Sequence, residues 1–444
     1  MRKLLLLGLL ACACQPDRDA GKEPPGGAAC EGVTCPAGRR CEAGACVPAI
    51  GLCRSDNDCI NDSYCACPPD VAGAECLCVP WGTRPRGDSD PSCAGQVFTP
   101  EEFKAPVLKC QWPPAGMPGV DVLSTPLVID LDKDGQPEIL FHTGTGIGAG
   151  ERLVALSGRD CSVKLDKQIP VTGCTQLAAG DLDGDGFPEI VVQAPGITVY
   201  DHEGNRRAAI NGPGVGFCAI DYPPAIANLD GKGPPEIIAG AHVSRFLAGP
   251  DHLELLWKLP VVPTGWGLIS VPVDLDGDGL LEVVTGSQVF DGLTGKDKTP
   301  SVMKGLGGGY PAIGDFNADG KPDIVLVSSS RPDMGGQAVS IIDYANNQLL
   351  MAPQKAPMGW GGPPTVADFD GDGRPEVATA SAVSYYVYSP DCTQVPRPAK
   401  CQGQDDGVLW QSPTQDDTSG STGSSIFDFN GDGVAEVVYR DECW

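Results

Sequence analysis

Along most of the chain, apolar residues fall in short runs separated by glycine-rich and acid-rich stretches. Runs such as Glu189-Ile190-Val191-Val192, Glu282-Val283-Val284 and Asp323-Ile324-Val325-Leu326-Val327 are rich in β-branched residues and too short for helices, so they predict strands. A shorter apolar run precedes each one, as at Pro126 to Ile129 and Thr365 to Ala367. A third run follows, as in Leu153-Val154-Ala155-Leu156, Ile197-Thr198-Val199-Tyr200 and Tyr385-Tyr386-Val387-Tyr388. A fourth carries tryptophan, at Leu255-Leu256-Trp257 and Val408-Leu409-Trp410.

Between the first and second runs sits a repeated polar segment. Asp130-Leu131-Asp132-Lys133-Asp134-Gly135, with Glu138 three residues on, recurs at Asp181, Asn228, Asp274, Asp315, Asp368 and Asp428. The spacings of 51, 47, 46, 41, 53 and 60 residues mark a modular array. Four strands in each unit of roughly 50 residues is the content of one propeller blade. The expected fold is therefore all-β, a seven-bladed β-propeller. Trp257 and Trp410 lie 17 and 18 residues before the next repeat, and Trp112 lies 18 before Asp130. That spacing predicts that Trp112 sits on a fourth-type strand that belongs to the last blade and clasps the ring. The last repeat has only Glu436-Val437-Val438-Tyr439 before Trp444, so the last blade is expected to be incomplete at the C-terminus.

Carboxylates at positions 1, 3 and 5, glycine at 6 and an acid at 9 bring oxygens together on one hard cation. Calcium takes 6 to 8 oxygens, whereas magnesium prefers a tight octahedron that keeps several waters, so calcium is the expected ion. The predicted ligand sets are Asp130, Asp132, Asp134, Gln136 and Glu138; Asp181, Asp183, Asp185, Phe187 and Glu189; and Asp274, Asp276, Asp278, Leu280 and Glu282. The later sets are Asp315, Asn317, Asp319, Lys321 and Asp323; Asp368, Asp370, Asp372, Arg374 and Glu376; and Asp428, Asn430, Asp432, Val434 and Glu436. The seventh-position residue in each set acts through its backbone carbonyl. The Asn228 repeat has Lys232 where a third ligand belongs, and its ammonium is expected to take the cation's place, leaving about six calcium sites.

An EF-hand would need a glutamate at position 12 and flanking helices, which this pattern lacks. The pattern instead resembles the FG-GAP (or VCBS) repeat of integrin α-subunit propellers and their bacterial relatives, from about Val107 to the end. The resemblance implies a calcium-loaded propeller in which the face opposite the metal loops takes part in ligand binding.

Charge agrees with the loop reading. The formal net charge is −27, and 24 of the 58 acidic residues occupy loop positions 1, 3, 5 and 9. The remaining 34 nearly balance the 31 lysines and arginines, so the charge is located in the loops rather than spread over the surface. With no basic stripe, nucleic acid is excluded as a partner.

Met1-Arg2-Lys3 followed by an apolar run from Leu4 to Leu10 reads as a secretion signal over 1–11, too short to span a bilayer. Leu9-Leu10-Ala11-Cys12 resembles the lipobox of bacterial lipoproteins, which implies lipidation at Cys12, and Ala13 leans towards the outer membrane. The alternative is an ordinary cleaved signal. Residues 12–29 form a Pro- and Gly-rich tether. Ten of the 20 cysteines then fall within 49 residues, which predicts a disulfide-rich module over 30–80, loosely similar to EGF-like stalk modules. Zinc fits the spacing poorly. Without Cys12, nineteen cysteines remain, an odd number that leaves Cys14 or Cys443 unpaired. A linker over 81–106 leads to the repeat body over 107–444.

Trp266 and Trp360 lie eight residues before their repeats, on glycine-rich stretches expected at the face opposite the metal loops, with Phe217 and Tyr310 in comparable places. They suit stacking on a sugar or gripping a peptide, or else pack the central channel. Four histidines, no G-x-S-x-G elbow and no H-E-x-x-H argue against an enzyme. The expected function is a non-catalytic surface module that recognises an extracellular glycan or protein and touches membrane only through its lipid. A polysaccharide lyase or other hydrolase on a calcium propeller, and a structural spacer, are the alternatives.

Overall fold

The structure is a computed structural model. It describes residues 108–439 apart from 114–120, 123, 145–151, 171–175, 194–195, 211–222, 241, 260–268, 332–335, 356–361, 382, 404, 416–422 and 431, and the backbone of six short strands between 29 and 80. The signal, the tether up to residue 28, Cys12, Cys14, Cys443, Phe217, Trp266 and Trp360 lie outside the described residues.

The repeat body is all-β, with no α-helix among the described residues. Each acid loop joins the first two strands of an antiparallel sheet. The second sheet shows the plan, in the order Gln176–Gly180, Glu189–Gln193, Ile197–Tyr200, Arg206–Ile210. The third, fifth and sixth sheets repeat this four-strand meander. The fourth has three strands and an isolated bridge between Phe290 and Asp297. The first adds the short strand Asp121–Val122, and the seventh pairs Ser424–Phe427 with Glu436–Tyr439.

The second strands are buried on both faces, which is why their sequences read as unbroken apolar runs. Alternate residues face opposite neighbours. Ile190 and Val192 pack on the first sheet's Leu140 and Leu153, while Val191 packs on the third sheet's Ile237 and Phe246. The same division recurs at Val283 and Val284, Ile324 and Val325, and Val377 and Ala378. First strands of successive sheets lie against one another. Sheets stacked face to face in chain order, with first strands together, are consistent with propeller blades.

Trp112 differs from expectation, since it lies outside any strand. Its ring meets Phe141 edge-on at 4.9 Å and covers the first sheet with Val122 and Ile139. Between 29 and 80 the backbone forms three two-stranded hairpins. Two disulfides are described, Cys110–Cys161 and Cys392–Cys401, each at a turn between a third and a fourth strand. Such bonds point to an exported protein.

Candidate metal centres

Each acid loop is closed by one recurrent bond. The backbone N–H at position 2 donates to one oxygen of the acid at position 9. This links Leu131 to Glu138, Leu182 to Glu189, Leu229 to Glu236, Leu275 to Glu282, Phe316 to Asp323, Phe369 to Glu376 and Phe429 to Glu436, at 2.8 to 2.9 Å. The position-2 side chain is buried in the first six loops and anchors each loop to the core. These residues were missed as site residues, although an apolar residue at position 2 of every copy was a visible signal.

The other acids also organise backbone. Where position 1 is aspartate, its Oδ2 accepts the N–H of the position-6 glycine, as Asp181 does from Gly186 at 2.8 Å. Those glycines have φ between 79° and 87°, a region costly for other residues, so the tight turn requires them. The position-5 aspartate accepts the N–H of position 7, from Gln136, Phe187, Leu280, Lys321, Arg374 and Val434.

After these bonds, oxygens remain that face one another. Three carboxylates converge to within 4.8 Å in five loops: Asp130, Asp132 and Glu138; Asp181, Asp183 and Glu189; Asp274, Asp276 and Glu282; Asp368, Asp370 and Glu376; and Asp428, Asp432 and Glu436. Asp130 Oδ1 and Glu138 Oε1 are buried with no hydrogen-bond partner. Buried carboxylate oxygens left over from a hydrogen-bonded loop fit a hard divalent cation, and the all-oxygen donor set fits calcium. The Asp315 loop forms no such carboxylate triad: like the Asp428 loop it has asparagine at position 3, but its ninth position is the shorter Asp323.

Burial without a counter-ion pushes the position-9 acids up: Glu189 to about 7, Glu376 to about 8 and Asp323 to about 7. Glu138 and Glu282 are raised by the same cause. Basic side chains from outer parts of the same sheets reach four of the clusters. Lys164 lies 2.9 Å from Asp132, Lys298 2.8 Å from Asp276, Lys400 2.8 Å from Asp370, and Arg207 3.5 Å from Asp183.

Two expectations are corrected. In the Asn228 loop, Lys232 is exposed and contributes only its backbone N–H, to Asn228 and Asp230. The charge that enters the loop is Arg245, which sits directly across the sheet from Glu236 and donates to its Oε1. Tyr310 is not on a preceding loop: it is the second residue of the strand Gly309–Gly314, paired with Val327 and half-buried.

The same segments match known families. An FG-GAP-like repeat matches residues 315–379, and an FG-GAP repeat matches 175–203. No curated protein matches the chain. Among solved structures, the V. cholerae biofilm matrix protein Bap1 is similar with a TM-score of 0.52 and 16% identity, over 73% of this chain and 78% of that one. Rhamnogalacturonan lyase YesW is similar with a TM-score of 0.50 and 18% identity, over 72% and 70%. At such identities the likeness is one of fold. Loops, sheets and family matches coincide: two segments of the chain match FG-GAP repeats, and its sheets are consistent with a protein of the FG-GAP-repeat β-propeller type.

Proposed function

We propose that this chain is a non-catalytic, calcium-stabilised recognition or adhesion module, lipidated at Cys12 and displayed at the outer membrane or cell surface. The observation that carries it is the use of the acids. The carboxylates of the repeats are occupied in holding loop backbone and in converging on candidate ion sites, which leaves them no role as acid or base on a substrate. Two of the four histidines, His142 and His242, are buried within strands. In this reading calcium fills about six loops and the seven sheets are seven blades. Trp112 acts as the clasp, packing on Phe141 of the first sheet as Trp257 packs on Phe290 of the fourth.

The ligand is an extracellular glycan or protein, met on the face opposite the acid loops, with Trp266, Trp360 and Phe217 as its contacts. The fold likeness to a biofilm matrix protein agrees with a role in surface attachment. Binding to a glycan and peptide array in calcium, lost in Trp266→Ala and Trp360→Ala, tests it; an array without a single reproducible hit rejects it. The likeness to a rhamnogalacturonan lyase keeps a second reading, polysaccharide cleavage. Release of unsaturated sugar products absorbing in the ultraviolet decides for that reading.

A further inference from the structure

In the third sheet the cation on the position-9 acid is set directly opposite it by strand register, whereas in the fourth Lys298 reaches Glu282 from outside the strands. The third sheet's register pairs Glu236, on the strand Glu236–Ala239, with Arg245, on His242–Leu247. Glu236 is fully buried, its Oε2 holds the Leu229 N–H, and its Oε1 accepts from both Nε and Nη2 of Arg245. Arg245 Nη2 also lies 3.9 Å from Asp230. In the first and fifth sheets the residue facing the position-9 acid is Ser157 or Asp343, neither of them a cation.

The first ligand is altered as well. Elsewhere the position-1 aspartate acts as an acceptor only, taking the position-6 glycine N–H on Oδ2. Asn228 instead donates its Nδ2–H to the Gly233 carbonyl at 2.8 Å and accepts the Lys232 N–H. Charge follows the same division. The Asn228 loop sets two acids, Asp230 and Glu236, against Arg245, whereas the Asp274 loop sets four acids against Lys298.

We propose that Arg245 is the resident cation of the third acid loop, so that this sheet is held by an internal guanidinium and folds without a metal ion between sheets that need one. A fixed planar donor on a facing strand is suited to this, because the register places it and no ion has to be captured. Lys298 and Lys400 lie on flexible stems at loops with a surplus of acids, from which an arriving divalent ion displaces an ammonium. The inference rests on the calcium reading of the other loops.

The test is hydrogen exchange on the full chain with calcium and with a chelator. The amides of 225–227, 236–239 and 242–247 are expected to keep their protection in chelator within about threefold, while 189–193 and 376–380 exchange at least tenfold faster. Equal loss in all three sheets overturns the proposal. Arg245→Ser, which places at this register the residue type the first sheet uses, is expected to speed exchange of the third sheet at least tenfold in saturating calcium; unchanged exchange overturns it. The variant N228D/K232D/R245S is expected to bind one more calcium per chain by elemental analysis, and an unaltered count counts against the idea. If no sheet responds to calcium, the calcium reading fails, and the Arg245→Ser arm still decides the role of the guanidinium.

Discussion

The indole Nε1–H of Trp257, on the outer strand of the third sheet, donates to the carbonyl oxygen of Gly292 in the fourth, at 2.7 Å. The ring packs on Phe290, and any Cβ at Gly295 would come within 2.6 Å of it. One side chain therefore ties adjacent sheets by burial and by a hydrogen bond. Trp257→Ala is expected to destabilise by about 3 to 5 kcal/mol, and Trp257→Phe by less because it keeps most of the buried ring. Denaturant midpoints of the two variants in calcium check the ranking; equal midpoints refute it.

The position-9 acids do two jobs, and Glu376→Gln separates them. The amide still offers an oxygen to the Phe369 N–H but brings no charge to the cluster. In chelator the variant is expected to be at least as stable as the parent, because the parent must either take up a proton at Glu376 or bury a charge beside Asp368, Asp370 and Asp372, and the amide needs neither. In calcium it should gain less, by about 2.7 kcal/mol where the parent site is saturated a hundredfold above its Kd. Thermal melts in both conditions provide the check.

The raised carboxyls set a pH dependence for the metal-free protein. Glu376, Glu189 and Asp323 hold their protons to about 8, 7 and 7 when folded, against 4.5 and 3.8 for ordinary glutamate and aspartate. Between these limits the folded chain binds more protons than the unfolded one. The stability contributed by these groups is full below about pH 4 and lost as pH rises towards 8. A chelated sample should thus be more stable at pH 5 than at pH 8, while calcium binding strengthens over the same range and releases protons. Calorimetry in buffers of different ionisation enthalpy measures the release.

Gly279 turns the fourth acid loop at a φ of 84° with no atom near enough to clash with a Cβ. Gly279→Ala is expected to cost about 1 to 2 kcal/mol through backbone conformation alone. A loss well under half of that in urea titrations would show that the turn relaxes.

The repeat made the strands and acid loops legible, since acids at alternate loop positions and a closing acid eight residues after the first survive variation in length between copies. Arg245 escaped because its partner is fixed by register: Glu236 and Arg245 are nine residues apart in a hairpin, and no local motif joins them. Lys232 drew the eye by filling a ligand position, yet the loop turns that side chain outward. The closing bond to position 9 was hidden for a different reason, as backbone donors leave no mark on residue identity. Tyr310 shows the limit of offsets, because the fifth sheet begins its first strand a residue before it.

The bond between Cys110 and Cys161 spans the whole of the first acid loop. A protease that nicks the chain anywhere between those two positions yields fragments that stay joined until a reductant is added. In an oxidising milieu, the cysteine-rich N-terminal portion and the sheets beyond residue 161 therefore travel as one covalent molecule even after such a cut.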